Sequence, residues 1–145
     1  MERYFRLPLS FFFFLWELPQ NLVGLATYLN LKRLKKIKTV DRAQNRLFIE
    51  TPHRGVSLGY FIFWTRHSNR YSHLKNDCRM HEYGHSIQSR ILGPFYLPVV
   101  GIPSILRHFY SIRHIRKYGS DWQNYYAGFP ENWADKLGGV KPSNA

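Results

Sequence analysis

The sequence predicts a small α+β domain in which helical segments flank a sheet of about three strands. Residues 37–65 contain three runs rich in β-branched and aromatic residues, separated by "DRAQN" and "PHRG": "IKTV", "RLFIET" and "GVSLGYFIFWT". Residues 75–92 and 130–138 instead have the apolar spacing and the end signals of helices. With residues 1–36 as an apolar and amphipathic N-terminal segment, the 145-residue chain suits one domain, residues 1–145.

The N-terminal segment predicts an amphipathic helix. The apolar run over residues 7–16 is shorter than the stretch of about 20 residues that spans a bilayer. Pro19 fits the first turn of a helix that ends in the basic run "KRLKKIK". One face of this helix is apolar and consists of Leu22, Leu25, Ala26 and Leu29. The helix either packs in the core or docks on a membrane surface.

The composition bears on cellular location. Arg3 and Arg6 precede the apolar run, so a signal peptide is possible, but the helix that starts at Pro19 explains the segment better. Cys78 is the only cysteine, which excludes an internal disulfide and is compatible with a reducing compartment. We therefore expect a cytoplasmic protein that can be peripheral at the inner face of the membrane.

The net charge of +12 predicts an anionic partner. The apolar but proline-broken segment "GPFYLPVVGIPSIL" directly precedes the basic stretch "RHFYSIRHIRK". An apolar segment thus precedes a cationic cluster twice, which favours an anionic membrane surface, although a buried loop over the core has the same composition. Nucleic acid is a less favoured partner because no recognisable binding motif accompanies the basic runs.

The pattern "HEYGH" at residues 81–85 indicates a metal site. Residues four apart lie on one helix face, so the imidazoles of His81 and His85 can bind one ion. The carboxylate of Glu82, next to His81, can take a proton from a water activated there. This H-E-x-x-H arrangement is typical of one catalytic zinc ion with a general base.

A catalytic zinc ion needs a third protein ligand. The candidates downstream are His108, His114, Asp121, Glu131 and Asp135. The strongest lie in "FPENWADKLGG", where Pro130 starts a helix with Glu131 and Asp135 on one face. Glu131 can bind the metal, while Asp135 can accept a hydrogen bond from the second ring nitrogen of a ligand histidine.

"HEYGH" followed by "ENWAD", whose Glu131 lies 46 positions after His85, resembles the gluzincin metallopeptidases. The E-x-x-A-D form is similar to that of membrane-associated prenyl-protein and heat-shock metallopeptidases. The resemblance implies a zincin-like fold and a zinc metalloendopeptidase that hydrolyses peptide or protein substrates. It assigns the zinc ion to His81, His85 and Glu131, the general base to Glu82, and the orientation of His81 to Asp135.

The resemblance also implies a substrate strand above the metal helix. In this chain that strand would be Gly55, Val56, Ser57, Leu58 and Gly59, which would offer main-chain hydrogen bonds to an extended peptide. A donor to the oxyanion is also required. Tyr125, Tyr126 and His114 are the candidates, and the spacing does not select among them.

Two other classes of function remain open. The first is a membrane-surface or partner-binding protein with a structural or vestigial zinc site. The second is a basic nucleic-acid-binding protein, which only the charge and the aromatic content of 17% favour. The whole chain, with "WELPQNL" and "WADKLGGV", is also similar to short bacterial proteins, which does not decide among these classes.

Overall fold

The computed structural model of this chain describes residues 11–52, 55–66 and 77–141. Arg3 and Arg6 of the possible signal peptide lie outside the described residues, as do residues 75–76 of the predicted metal helix. The described chain contains helices α1 (Leu18–Arg33), α2 (Asp77–Leu92), α3 (Ile102–Tyr118) and α4 (Glu131–Gly138). Its strands are β1 (Thr39–Ala43), β2 (Arg46–Glu50), β3 (Val56–Leu58) and β4 (Phe61–Trp64). The predicted α+β class is confirmed.

The sheet has four strands, in the order β1-β2-β4-β3. Strand β2 pairs antiparallel with β1 and parallel with β4, and β3 pairs antiparallel with β4 at the edge. The prediction of about three strands was short by one, because "GVSLGYFIFWT" forms the hairpin β3–β4. The reversal occurs at Gly59, whose φ of +64° suits glycine, and Tyr60 donates its N–H to Asn21 Oδ1 at 2.6 Å.

Alternation along the strands gives the sheet two apolar faces. Phe48, Ile62 and Trp64 pack with Cys78 at the start of α2. Ile49, Phe61 and Phe63 form the other cluster, against which Tyr28 and Leu31 of α1 pack. The sheet therefore lies between α1 and α2. Burial raises the pKa of the Cys78 thiol to about 12, which makes it a packed, unreactive side chain.

Helix α1 turns its polar side inward. Gln20, Asn21 and Gly24 are buried, and Gly24 lies against the Phe61 ring and the Leu58 carbonyl. The predicted apolar face is exposed and comprises Leu22, Leu25, Ala26 and Leu29. Helix α1 thus meets the sheet through Gly24, Tyr28 and Leu31 and not through the predicted apolar face. No helix in the described ranges has the length and apolar character that crossing a bilayer requires.

A buried ion pair fixes the start of α1. Glu17 accepts two hydrogen bonds from the Arg46 guanidinium, at 2.8 and 3.0 Å, and a third from Ser89 Oγ at 2.7 Å. Arg46 also donates to the Ser86 carbonyl at 2.7 Å. Because both charges are fully paired, the desolvation of each is compensated. This cluster joins α1, β2 and α2.

The proline-broken segment after α2 is helical but irregular. A 3-10 turn (Gly93–Phe95) and a π-helical turn (Leu97–Gly101) lead into α3. The prolines remove backbone donors, which explains why the hydrogen-bond period changes twice. The predicted absence of a straight helix over this segment is confirmed.

Candidate metal centre

Helix α2 carries the two histidines on the side that faces α4. Its apolar side packs on the sheet through Cys78 and Tyr83. His81 and His85 lie one turn apart, with ring centroids 4.7 Å apart, and both side chains are buried. The i, i+4 spacing of the motif thus points two imidazoles in one direction.

Two glycines allow α4 to lie directly on α2. A Cβ atom built on Gly84 would overlap the Ala134 carbonyl and come within 3.0 Å of Gly138 N. A Cβ atom built on Gly138 would overlap the Met80 carbonyl in the same way. The backbones therefore touch where any larger residue would separate them, and this contact brings Glu131 to the histidines.

The two imidazoles and a carboxylate converge on one point. Glu131 Oε2 lies 3.0 Å from His81 Nε2 and 3.2 Å from His85 Nε2. One potential ligand atom of each residue lies within 4.8 Å of the others. The chain thus contains a buried cluster of His81, His85 and Glu131 that can hold a metal ion.

The hydrogen-bond partners of the two Nδ1 atoms, which point away from Glu131, determine the tautomers. His81 Nδ1 is 2.7 Å from Asp135 Oδ1, and His85 Nδ1 is 2.7 Å from Gln88 Oε1. Gln88 donates its amide N–H to the Pro130 carbonyl at 3.0 Å, so its oxygen is the atom that faces His85. Because Asp135 and Gln88 both present acceptors, each imidazole donates from Nδ1.

Neutral imidazoles in these tautomers direct the lone pairs of their Nε2 atoms at Glu131. The other carboxylate oxygen, Oε1, accepts a hydrogen bond from Ser104 Oγ at 2.6 Å. Three acceptor atoms therefore meet in a dry volume, where they repel one another unless a cation lies between them. That cation is either a metal ion or extra protons, and two nitrogens with one oxygen are a donor set that suits zinc.

Protons can also supply the positive charge within the cluster. Burial lowers the pKa of His81, but its hydrogen bonds to Asp135 and Glu131 outweigh burial and raise the pKa to about 10. Burial raises the pKa of Glu131, but the hydrogen bonds from His81 and His85 reverse this, and its pKa falls well below the usual range. The metal-free cluster is thus an ion pair that a metal ion must displace.

Glu82 lies beside the cluster and against strand β3. Its side chain packs on Gly55 so closely that a Cβ atom there would contact Glu82 Cδ at 2.9 Å. Burial raises the pKa of Glu82, while the charges of His81 and His85 oppose that increase. A carboxylate with a raised pKa beside His81 and His85 is suited to taking up a proton.

The three candidate oxyanion donors lie at different distances from the cluster. The Tyr126 ring stands edge-on to His81 at 5.3 Å, and the Tyr125 ring lies 4.7 Å from Tyr126. The Arg107 guanidinium donates to the Tyr125 carbonyl at 2.7 Å and so ties this loop to α3. His114 instead contacts the Ser120 carbonyl and the Tyr118 ring toward the end of α3.

Three residues of this region were not predicted from the sequence. Gln88 could have been found, because it lies three residues after His85 on the same helix face. Ser104 carries no comparable signal, since it reaches Glu131 from a different helix. Tyr96 is buried and donates from its hydroxyl to the Ser57 carbonyl of β3 at 3.2 Å, which no spacing indicates.

Neither a protein-family model nor a curated protein nor a solved structure matches this chain.

Proposed function

We propose that this protein is a zinc-dependent metallopeptidase with a zincin-like, gluzincin-type site. The observation that carries the proposal is the convergence of His81 Nε2, His85 Nε2 and Glu131 Oε2, with the buried carboxyl group of Glu82 close enough to feel their charges. His81, His85 and Glu131 would hold one zinc ion, and Asp135, Gln88 and Ser104 would orient these ligands. When bound, zinc polarises a carbonyl group and increases the acidity of water.

In this proposal Glu82 is the general base and then the general acid. Its carboxylate accepts a proton from the attacking water as the water oxygen adds to the scissile carbonyl carbon. Glu82 then delivers that proton to the amide nitrogen as the C–N bond breaks, so that one water and one amide yield a carboxylic acid and an amine. The raised pKa of Glu82 supports both transfers.

The edge strand supports an extended peptide as the substrate. Among the described strands, β3 pairs only with β4, and Gly55, just before β3, contacts Glu82. A peptide that added to this edge would place its carbonyl groups near the general base. Tyr126, whose ring touches His81, is the best placed of the three candidate donors to the oxyanion.

A comparison of the wild-type protein with Glu82→Gln on a peptide library tests this function. The amide keeps the shape of the side chain but takes up no proton, so we expect cleavage to fall by a factor of about 10²–10⁴. Zinc content and circular dichroism should not change. Equal cleavage by both zinc-loaded proteins would contradict the proposal.

A structural metal site is the second candidate, and burial favours it. The exposed fractions of His81, His85 and Glu131 are 4%, 5% and 1%, whereas a catalytic metal keeps an open position. For a structural site we expect no cleavage by either protein, together with a large loss of thermal stability when zinc is removed.

A further inference from the structure

The exposed side of the N-terminal helical region is a continuous apolar stripe. Residues 11–16 are helical and join α1 through the backbone bonds Glu17 N to Phe13 O and Asn21 N to Glu17 O, both 3.0 Å. Six exposed apolar residues recur at steps of four and three along this region: Phe11, Leu15, Leu18, Leu22, Leu25 and Leu29. The next positions at this spacing are Lys32 and Arg33, both exposed. We call these residues the α1 stripe.

A second stripe of the same kind lies on the helical segment from the 3-10 turn through α3. Its exposed apolar members also recur at steps of four and three: Phe95, Val99, Ile102, Leu106 and Phe109. Arg113, four residues after Phe109, is exposed, as are Arg116 and Lys117 in the last turn. We call these residues the α3 stripe.

The segments that carry the two stripes meet at the contact between Trp16 and Gly93. The Trp16 indole lies against Gly93 and donates its N–H to the Arg90 carbonyl at 3.0 Å. Leu15 and Leu18 lie within two positions of Trp16, and Phe95 lies two positions after Gly93. Residues of both stripes therefore lie close to this contact along the chain.

The buried side of α1 has specific hydrogen-bond partners, which hold the helix with the α1 stripe facing outward. Gln20 donates to Ser89 Oγ and to the Gly93 carbonyl, each at 2.9 Å, and Asn21 accepts from Tyr60 N. A helix that is hydrogen-bonded inward and apolar outward has the opposite polarity to a surface helix in water. Its outer face is suited to an apolar phase.

The distribution of charged residues along both stripes indicates which apolar phase this is. Glu17 is the only acidic residue in residues 11–36, and it is buried against Arg46. Residues 93–118 contain no acidic residue. Both stripes thus offer apolar side chains followed by cations with no exposed carboxylate among them, which complements acyl chains beneath anionic headgroups.

We infer that the protein docks on an anionic membrane surface through the α1 and α3 stripes, without spanning the bilayer. A second copy of the chain is a poorer occupant, because its cations would repel those of the first. Nucleic acid would engage the cations but would leave the apolar surface in water. The inference is independent of the proposed peptidase activity.

Flotation of the full-length protein with lipid vesicles tests the inference. We expect binding to phosphatidylglycerol-containing vesicles, weaker binding at high salt, and little binding to pure phosphatidylcholine. Replacing Leu22 and Leu29 by Gln should weaken binding by about tenfold for each leucine. Replacing Lys32 and Arg33 by Ser should weaken it by about fivefold for each cation at low salt.

A matched control lies on β1, where Val40 is 44% exposed and Arg42 is also exposed. Val40→Gln with Arg42→Ser changes one apolar side chain and one charge outside the stripes, and we expect wild-type binding. Circular dichroism and zinc content of every variant report whether the fold is intact. Equal losses in the control and the stripe variants would overturn the inference.

Two further outcomes would also overturn it. One is a lipid-free dimer that dissociates on Leu22→Gln with Leu29→Gln, since a second copy would then cover the stripes. The other is binding of a duplex oligonucleotide in preference to anionic vesicles, unaffected by the leucine variants. Sedimentation of the protein without lipid and an oligonucleotide competition measure these outcomes.

Discussion

At the scale of the residue, the metal centre depends on which atom of each imidazole carries the proton. Asp135 and Gln88 each accept from an Nδ1–H, so the Nε2 atoms are left to share Glu131. The two acceptors differ in charge, since Asp135 is a carboxylate and Gln88 a neutral amide. We therefore expect Asp135 to influence His81 more strongly than Gln88 influences His85.

Substitution of either partner should weaken the affinity for zinc. Asp135→Ala and Gln88→Ala each remove the acceptor that fixes the tautomer and the orientation of one imidazole. We therefore expect the dissociation constant for zinc to rise about 10- to 100-fold. A competition titration with a zinc chelator measures this. Asn132→Ala, at an exposed position of α4, is the control. An unchanged affinity in Asp135→Ala would show that His81 is not oriented by this carboxylate.

The affinity for zinc should also rise with pH. The pKa of His81 in the metal-free protein is raised to about 10, so below that pH a metal ion must displace a proton. We expect the affinity to increase by about tenfold per pH unit between about pH 6.5 and about pH 8.5, for one proton released. Isothermal titration at several pH values in buffers of different ionisation enthalpy measures both quantities. An affinity that does not vary with pH would contradict the assigned protonation.

At the scale of the element, the site depends on how closely α4 lies on α2. His81 and His85 are four residues apart on one predicted helix, and Glu131 and Asp135 are four apart on another. Each half of the site is therefore visible as a local pattern in the sequence. What joins the halves is the contact between Gly84 and Gly138, which is a tertiary property. A glycine inside a predicted helix indicates close packing, but it does not indicate which other element packs there.

Gly84→Ala should separate the two helices and open the site. The added methyl group would overlap the Ala134 carbonyl, so the backbones must move apart. We expect a stability loss of about 1–3 kcal/mol from overpacking and a zinc affinity lower by at least about tenfold, because a displaced ligand no longer meets the others. Thermal unfolding with and without zinc measures both, with Gly101→Ala as the control, because a Cβ atom there makes only ordinary contacts at 3.6 Å or more. Zinc affinity equal to that of the wild type would contradict the role of this contact.

Other elements departed from prediction for identifiable reasons. The periodic leucines of α1 correctly indicated a helix, but periodicity does not say which face is inside. The buried face contains Gln20, Asn21 and Gly24, whose polar atoms are bonded to other elements. The hairpin β3–β4 was missed because the turn at Gly59 is completed by Asn21, a residue distant in sequence.

At the scale of the whole molecule, the small number of carboxylates and the high net positive charge have a common explanation. Of the described carboxylates, Glu17, Glu50, Glu82 and Glu131 are buried. Glu17 pairs with Arg46, and Glu131 meets His81 and His85. The exposed surface consequently retains most of the excess of cations, and the net charge is +12. The same chain thus combines a buried cluster that can hold a metal ion with a cationic, partly apolar exterior, which we assign to a membrane surface.

The central claim is that His81, His85 and Glu131 hold one zinc ion. The most direct measurement is the zinc content per chain of the purified wild type and of Glu131→Gln, after dialysis against a weak chelator, with Asp121→Asn as a control at an exposed carboxylate. We expect one ion per chain in the wild type and in Asp121→Asn, and almost none in Glu131→Gln. A wild type without bound zinc, or a Glu131→Gln variant that retains a full equivalent, would contradict the account.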